Sequence, residues 1–302
     1  GTLNVNGGRL LASGTFAGAV AVNNTGTLQP VTGIGNLSVA SLHLGNGSTT
    51  DFEFNGSGTA NDVINITATG GLSFGSAFTL NFYQEFSEIP FSQNGNYLLF
   101  DYTGGFSGDI ANLIVGNPVS GKGYSLINDT SATAIRLVIV DAVVTSWDAA
   151  GGGLWTGAAN WTNGVPNEAS AEAVFGSAIT SPSTVNIDGN KTVGKLLFDS
   201  PNGYTIGGSG TLDLDNGAAS SIVMVAQGDH SITTPLNLLV NTSVNTAAGS
   251  SLKIGDVSGN RPLSIGGAGT VILNGNGSHT ETLINGATLQ VGDGGATGSL
   301  GS

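Results

Sequence analysis

The chain has 302 residues, of which 50 are glycine, 39% are hydrophobic and only 9% are charged. Its formal net charge of −13 argues against binding to nucleic-acid backbones or anionic membrane surfaces, because both need clustered Lys and Arg. Glycine lacks the period of three that collagen requires, and the apolar content is too high for a disordered chain. The composition is typical of an ordered β protein with many tight turns.

The chain contains no cysteine, so strand pairing and a hydrophobic core must hold it together without disulfides. No run approaches the ~18 apolar residues of a membrane helix. The most apolar segment, residues 135–144, is interrupted by Arg136 and Asp141 and is predicted to be a buried strand. Because the chain starts at Gly1 and shows no signal peptide, we expect a processed or excised piece of a longer exported protein.

Residues 1–47 consist of short alternating runs separated by turn residues. Leu37, Val39, Leu42 and Leu44, for example, alternate with small and polar residues. A period of two places the apolar side chains on one face of a strand. We therefore predict the rungs of a β-solenoid over 1–47.

Residues 48–146 are richer in phenylalanine and contain longer apolar runs. Eight of the 12 phenylalanines fall between positions 52 and 100. Long strands with aromatic core positions favour a β-sandwich-like module over 48–146.

Residues 147–183 hold all three tryptophans of the chain, Trp147, Trp155 and Trp161, together with the Gly151–Gly153 run. Our preferred interpretation is a cap or linker in which the indoles close the end of a solenoid. The alternative is a glycan-binding platform, because a pyranose ring can pack on an aromatic face.

Residues 184–302 repeat one phrase, an alternating run that ends in Gly, Asn or Asp. It occurs as GTLDLDNG at 210–217, GTVILNGNG at 269–277 and ATLQVGDGG at 287–295, and it also opens the chain as GTLNVNGG. Alternation closed by Asn-Gly or Asp-Gly predicts a strand followed by a turn. Similar runs at 193–198, 222–225, 236–240, 252–254 and 263–265 extend the pattern. We predict solenoid rungs over 184–302.

The repeated sequence pattern continues when the closing residues GSLGS are read on into the opening residues GTLNVNGG. Joined tail to head, 184–302 and 1–47 would form one uninterrupted run of rungs. This continuity predicts a head-to-tail homo-oligomer or homopolymer. Its candidate interface residues are Gly1, Thr2, Leu3, Val5, Leu289, Val291 and Leu300.

Several of these phrases resemble bacterial proteins with autotransporter-associated β-strand repeats. The resemblance rests on the repeated phrase, the closing run at 283–302, the spacing of Trp147, Trp155 and the NWTNG run at 160–164, and NYLLFDYTGG at 96–105. It implies an exported, surface-associated bacterial protein with a right-handed parallel β-helix. It implies no catalytic motif.

Two pairs of acids alternate with apolar residues, Asp51 with Glu53 and Asp213 with Asp215. We predict that they form solvated outer faces, and the weaker alternative is a Ca²⁺ site, since Ca²⁺ takes oxygen ligands. The three histidines, His43, His230 and His279, are far apart in sequence. Otherwise we predict no catalytic, cofactor or metal residues.

The sequence thus predicts an all-β, extracellular or cell-surface structural protein that self-assembles end to end into a fibre or layer. The alternative is a non-polymerising adhesin or carbohydrate-binding module that uses the tryptophans, with surface glycans as partners. A polysaccharide-cleaving enzyme ranks third, because it would need clustered acids that the sequence does not display. We expect no nucleic-acid partner and no membrane insertion.

Overall fold

The computed structural model describes residues 1–294 and 297–300. It divides into two compact units, Gly1–Asp141 and Ala142–Ser302. The described secondary structure is entirely β apart from two 3₁₀ turns, Ile110–Asn112 and Ala158–Asn160. The prediction of an all-β protein is confirmed. Within the same residues, no helix is long and apolar enough to cross a membrane.

The first unit contains fourteen strands in two sheets. One sheet has the order β1-β3-β5-β7-β10-β14-β13, with β8 paired to both β5 and β11, and the other has the order β12-β9-β6-β4-β2. The pairs are parallel except β10–β14 and β13–β14, which are antiparallel. The strands are β1 (Thr2–Val5), β2 (Arg9–Leu11), β3 (Gly14–Val22), β4 (Thr27–Gln29), β5 (Asn36–Leu44), β6 (Thr49–Phe54), β7 (Val63–Ile66), β8 (Leu72–Phe74), β9 (Phe78–Gln84), β10 (Gly95–Tyr102), β11 (Phe106–Ser107), β12 (Leu113–Val115), β13 (Lys122–Asp129) and β14 (Ala134–Asp141).

The core of the first unit is aromatic. Phe54 on β6 stacks on Phe91 with ring centroids 4.3 Å apart, and it meets Tyr97 edge to face at 5.2 Å. Such ring pairs add stabilisation beyond the area they bury. The predicted segments 1–47 and 48–146 both contribute to this unit, because β3, β5 and β7 are neighbours in one sheet and β4, β6 and β9 in the other.

The second unit contains eighteen strands among its described residues, in three sheets whose pairs are all parallel. The sheet orders are β15-β17-β20-β23-β26-β29-β31, β16-β18-β21-β24-β27-β30-β32 and β19-β22-β25-β28. The strands are β15 (Val144–Ser146), β16 (Gly153–Leu154), β17 (Glu172–Phe175), β18 (Ser183–Ile187), β19 (Lys191–Val193), β20 (Lys195–Asp199), β21 (Tyr204–Gly208), β22 (Leu212–Leu214), β23 (Ser221–Gln227), β24 (Asp229–Ile232), β25 (Leu236–Leu238), β26 (Thr242–Thr246), β27 (Ser251–Ile254), β28 (Val257–Ser258), β29 (Leu263–Gly267), β30 (Thr270–Leu273), β31 (Thr282–Asn285) and β32 (Thr288–Val291).

From β17 to β30, consecutive strands of the second unit enter the three sheets in rotation, whereas β15, β16, β31 and β32 lie in the two longer sheets only. Thus β20, β21 and β22 lie in three different sheets, and each pairs with the strand three places later in the chain. The register places apolar residues of neighbouring strands side by side. Leu196 pairs with Val223, and Val223 pairs with Val244. All three are buried. The strands predicted from alternating runs in 184–302 are therefore present.

Glycine is required at corners of the second unit where the chain passes close to the neighbouring strand. Gly208 has φ of 120°, and a Cβ there would lie 2.3 Å from the carbonyl oxygen of Ile187. Gly267 has φ of 94°, and its Cβ would lie 2.2 Å from the carbonyl oxygen of Thr246. Only a residue without a side chain fits both the conformation and the space.

Replacement of Phe175 by alanine should destabilise the second unit by ~3–5 kcal/mol, because it leaves a large cavity in a rigid aromatic cluster. The ring is fully buried and stacks on Phe198 at 5.1 Å. All three tryptophans lie in this unit, so urea denaturation followed by tryptophan fluorescence reports its stability. Met224→Ala is the matched control, because this side chain on β23 is 46% exposed. Equal shifts for the two variants would contradict this account of the core.

Candidate functional site

The candidate functional site consists of the outermost strands at the two ends of the chain. Strand β1 pairs only with β3, β31 pairs only with β29, and β32 pairs only with β30 in the described sheets. Each of these strands therefore has one edge with no neighbouring strand. Such an edge presents a row of backbone donors and acceptors to which another strand can bond.

At the N-terminal end, a core position of the sheet lies uncovered. Leu3 on β1 is in register with Val20 on β3, which is in register with Leu42 on β5. Val20 and Leu42 are 2% and 1% exposed, whereas Leu3 is 39% exposed. An apolar ladder thus continues into the last strand, where the leucine meets solvent.

The C-terminal end shows the same arrangement in two sheets. Ile265 is fully buried, and its register partner Ile284 on β31 is 55% exposed. Leu273 is 2% exposed, and its register partner Val291 on β32 is 43% exposed. Apolar side chains that are core residues in earlier strands are therefore accessible here.

The three edge strands are only four residues long, but they carry no charged residue and no proline. Their sequences are TLNV for β1, TLIN for β31 and TLQV for β32. Natural sheets commonly protect exposed edges with Lys, Pro, bulges or covering loops. These edges are therefore chemically suited to accept a further strand.

The predicted interface residues occupy these ends to different degrees. Gly1, Thr2, Leu3, Val291 and Leu300 are exposed, Val5 is buried, and Leu289 is half-buried and packs against the core. Ile284, the most exposed of the apolar side chains at this end, is not among the interface residues predicted from the sequence. Ile284 can be recognised as a core position only from its register with Ile265, and no local pattern in the LINGATLQV run shows this pairing.

The three tryptophans form a closed cluster beside the first strands of the second unit. Trp147, Trp155 and Trp161 are 2%, 0% and 5% exposed. Trp161 meets Trp147 edge to face at 5.2 Å and Trp155 at 5.0 Å. Each indole N–H donates to a backbone carbonyl, that of Gly151, Pro166 or Trp155.

This geometry turns the indole faces towards one another and towards Phe175. A sugar ring can stack only on an aromatic face that is accessible, so glycan binding at these tryptophans requires the cluster to open. That hypothesis stays a prediction, whereas the packing itself makes the tryptophans part of the hydrophobic core of the second unit.

The prediction of a solvated outer face is wrong for Asp51 and Glu53, which are only 4% and 5% exposed. Asp51 accepts hydrogen bonds from Arg9 at 3.0 Å and from Asn81 at 2.9 Å. Glu53 accepts from the backbone N–H of Gly33. The backbone of Gly33 contacts Glu53, and Arg9 and Asn81 contact Asp51, so both side chains are largely shielded from bulk water.

Carboxylates hold the loop at 30–35 through three consecutive backbone N–H groups. Gly33 donates to Glu53, Ile34 donates to Glu85 at 3.4 Å, and Gly35 donates to Asp62 at 2.8 Å. We call this arrangement the carboxylate clamp. Asp62 also accepts the backbone N–H of Glu53 at 2.8 Å, so it links the loop to β6.

Asp62 has the most perturbed carboxyl of the clamp. Its side chain is fully buried, and burial raises its pKa from the model-compound value of 3.8 to about 7. The two backbone N–H donors oppose this rise, while the nearby carboxylates Glu53 and Glu85 add to it. A buried carboxyl in such surroundings takes up a proton near neutral pH because its charged form is poorly solvated.

The second acidic pair lies in a half-buried ladder of polar side chains. Asp213 accepts a hydrogen bond from Asn237 at 2.9 Å, and Asp215 accepts one from the backbone N–H of Gly217 at 2.9 Å. These contacts are those of turn and ladder stabilisation. Within the described residues, no group of three or more His, Cys, Asp or Glu side chains is arranged to hold a metal ion.

The histidines lie in three separate places. His43 on β5 contacts Ser73 at 2.9 Å, and buried His279 contacts Thr282 at 2.7 Å. His230 stacks on Phe198 at 4.8 Å and accepts the backbone N–H of Tyr204 at 3.0 Å. Burial lowers the pKa of His230, which favours the neutral ring that this packing requires.

No protein-family model, curated protein or solved structure matches this chain.

The carboxylate clamp should make the stability of the first unit depend on pH. Because the folded-state pKa of Asp62 is raised, the folded protein holds a proton that the unfolded chain has released between pH ~4 and ~7. The contribution of Asp62 to stability is thus complete at low pH and is lost as pH rises towards 7, with a slope of at most ~1.4 kcal/mol per pH unit.

Asp62→Asn should remove this slope, and it should cost ~1–3 kcal/mol at low pH because one of two buried N–H groups loses its acceptor. The measurement is urea denaturation at pH 5, 6, 7 and 8, followed by near-ultraviolet circular dichroism of the tyrosines. Four of the five tyrosines lie in the first unit. A stability difference between wild type and variant that is the same at every pH would contradict the assignment.

Proposed function

We propose that this protein is an extracellular structural protein that assembles end to end with further copies of itself, or with neighbouring repeats of a longer chain. The observation that carries the proposal is the state of the terminal strands. Core register positions lie uncovered at Leu3, Ile284 and Val291, on strands without charge or proline. A further strand at either end would bury these side chains and satisfy the free backbone groups.

Strand addition of this kind is driven by main-chain hydrogen bonds and apolar contact. The chain carries a net charge of −13, so separate copies repel one another at low ionic strength. Added salt screens this repulsion without weakening strand pairing. The proposal therefore requires assembly that persists, or improves, as the salt concentration rises.

The proposed architecture is a right-handed parallel β-helix that continues across each junction. It is supported by the rotation of consecutive strands among three parallel sheets in the second unit. The handedness, the bacterial cell-surface location and the exported character come from the resemblance to autotransporter-associated repeat proteins. In such an architecture the working surfaces are the two ends, and the stacked rungs between them supply length and rigidity.

Leu3→Lys and Ile284→Lys should each abolish assembly or raise the concentration at which filaments appear by at least ~10-fold, because a charge on an edge strand opposes pairing. The measurement is negative-stain electron microscopy at rising protein concentration, in low and high salt. Met224→Lys is the matched control, because it adds the same charge at an exposed position on the interior strand β23. This control should assemble as the wild type does.

Filaments from the wild type and from Met224→Lys, but not from the end variants, would support the proposal. Circular dichroism of each variant checks that it is folded. Discrete particles from the wild type at every concentration and salt would contradict it, as would normal filaments from both end variants. In the first of these cases the non-polymerising adhesin becomes the better account.

A further inference from the structure

The first unit contains a cavity of about 690 Å³ whose lining combines charged, amide and aromatic side chains. The residues that matter for the argument are Arg9, Gln29, Asp51, Glu53, Tyr83 and Phe86. Ligand-binding pockets typically have volumes of ~300–1,000 Å³. The cavity is thus large enough for a small organic ligand.

The polar part of the cavity is preorganised. Asp51 is held by Arg9 and Asn81, and Glu53 is held by Gln29 and by the backbone of Gly33. Each carboxylate has lone pairs beyond those used in these contacts, and Arg9 has further N–H donors. The fixed groups can therefore bond to a ligand at little cost in side-chain entropy.

Phe86 places an aromatic face at the cavity. Its side chain is 72% exposed, although phenylalanine is ordinarily a core residue. A Cβ on Gly33 would lie 2.7 Å from the ring, so the ring rests directly on this glycine. Phe86 also has φ of 58°, a left-handed conformation that is unfavourable for a bulky residue. Hydrogen bonds of the turn, from Gln84 to Ile89 and from Ser87 to Gln84, maintain it.

The chemistry of the lining selects among ligand classes. Three carboxylates, Asp51, Glu53 and Glu88, outnumber the single guanidinium of Arg9, which disfavours anions. An organic cation would compete with Arg9, whose guanidinium already pairs with Asp51 at 3.0 Å. A neutral polyhydroxylated ligand avoids both conflicts.

We propose that this cavity binds a neutral saccharide. Sugar hydroxyls donate to Asp51 and Glu53 and accept from Arg9, while the apolar C–H face of the ring packs on Phe86. The mixed donors and acceptors match a hydroxyl group, which does both. The lining residues belong to the first unit and do not include the tryptophans, and the proposal does not depend on end-to-end assembly.

The test uses the full chain at concentrations below any assembly, with cellotetraose, chitotetraose, mannotetraose and laminaritetraose as neutral probes and tetragalacturonate as the acidic probe. Isothermal titration calorimetry should detect binding of at least one neutral probe and none of tetragalacturonate. Phe86→Ala should weaken that binding by about tenfold, because an aromatic contact is lost. Phe86→Tyr should retain it, since the ring is kept.

Ile89→Ala is the matched control, because this side chain is 57% exposed three residues away and is not part of the cavity lining. It should bind as the wild type does. Phe86→Leu keeps an apolar side chain without a ring, so it tests the same contact if Phe86→Ala does not fold. This variant too should bind the saccharide more weakly than Phe86→Tyr does.

Three results would overturn the proposal. The first is an absence of binding by every neutral probe. The second is binding that is unchanged in both Phe86→Ala and Phe86→Leu. The third is binding of tetragalacturonate at least as tight as that of every neutral probe, because the carboxylates of the lining should exclude an anion.

Discussion

Parallel, in-register strand pairing is the constraint on which the rest of this structure depends. Each interior strand of the three sheets in the second unit obtains its backbone hydrogen bonds from the strand before and the strand after it in the same sheet. The same register stacks Leu196, Val223 and Val244 into one buried ladder. A ladder of this kind can always accept one more strand, because its last strand offers the same backbone N–H and C=O groups that the earlier strands use for pairing. The exposed apolar residues at both ends of the chain follow from the fact that the last strand of each ladder has no further partner.

The chain meets the demands of this pairing without disulfides and with few charges. Corners rely on glycines such as Gly208, which lies against the backbone of the adjacent strand. Where charges are buried they have defined partners, as in the carboxylate clamp that holds the loop at 30–35. Buried carboxyls are tolerated because backbone N–H donors satisfy them and because Asp62 can be neutralised by a proton near pH 7. Stability is thus tied to the protonation of one loop-anchoring residue.

The sequence alone predicts where the strands lie, but it does not predict for every side chain whether it is buried or exposed. Alternation of apolar residues located β23, β27 and β29, because a local period of two decides which side chains share a face. The burial of Asp51 and Glu53 could not be read in this way, since the groups that contact them, Arg9, Asn81 and the backbone of Gly33, are distant in sequence. The repeated motif leads to Leu3 and Val291 as predicted interface residues, whereas it does not lead to Ile284, whose core position is defined only by pairing with Ile265.

Hydrogen–deuterium exchange of the full chain at rising protein concentration tests the central claim most directly. If uncovered terminal strands pair with those of further copies, amides in β1, β31 and β32 should become protected as the concentration increases. Amides of the interior strands β23 and β26, which are paired on both sides already, should keep the same exchange rates. Fast exchange in the terminal strands at every concentration would contradict the claim that these edges are the working surfaces of the protein.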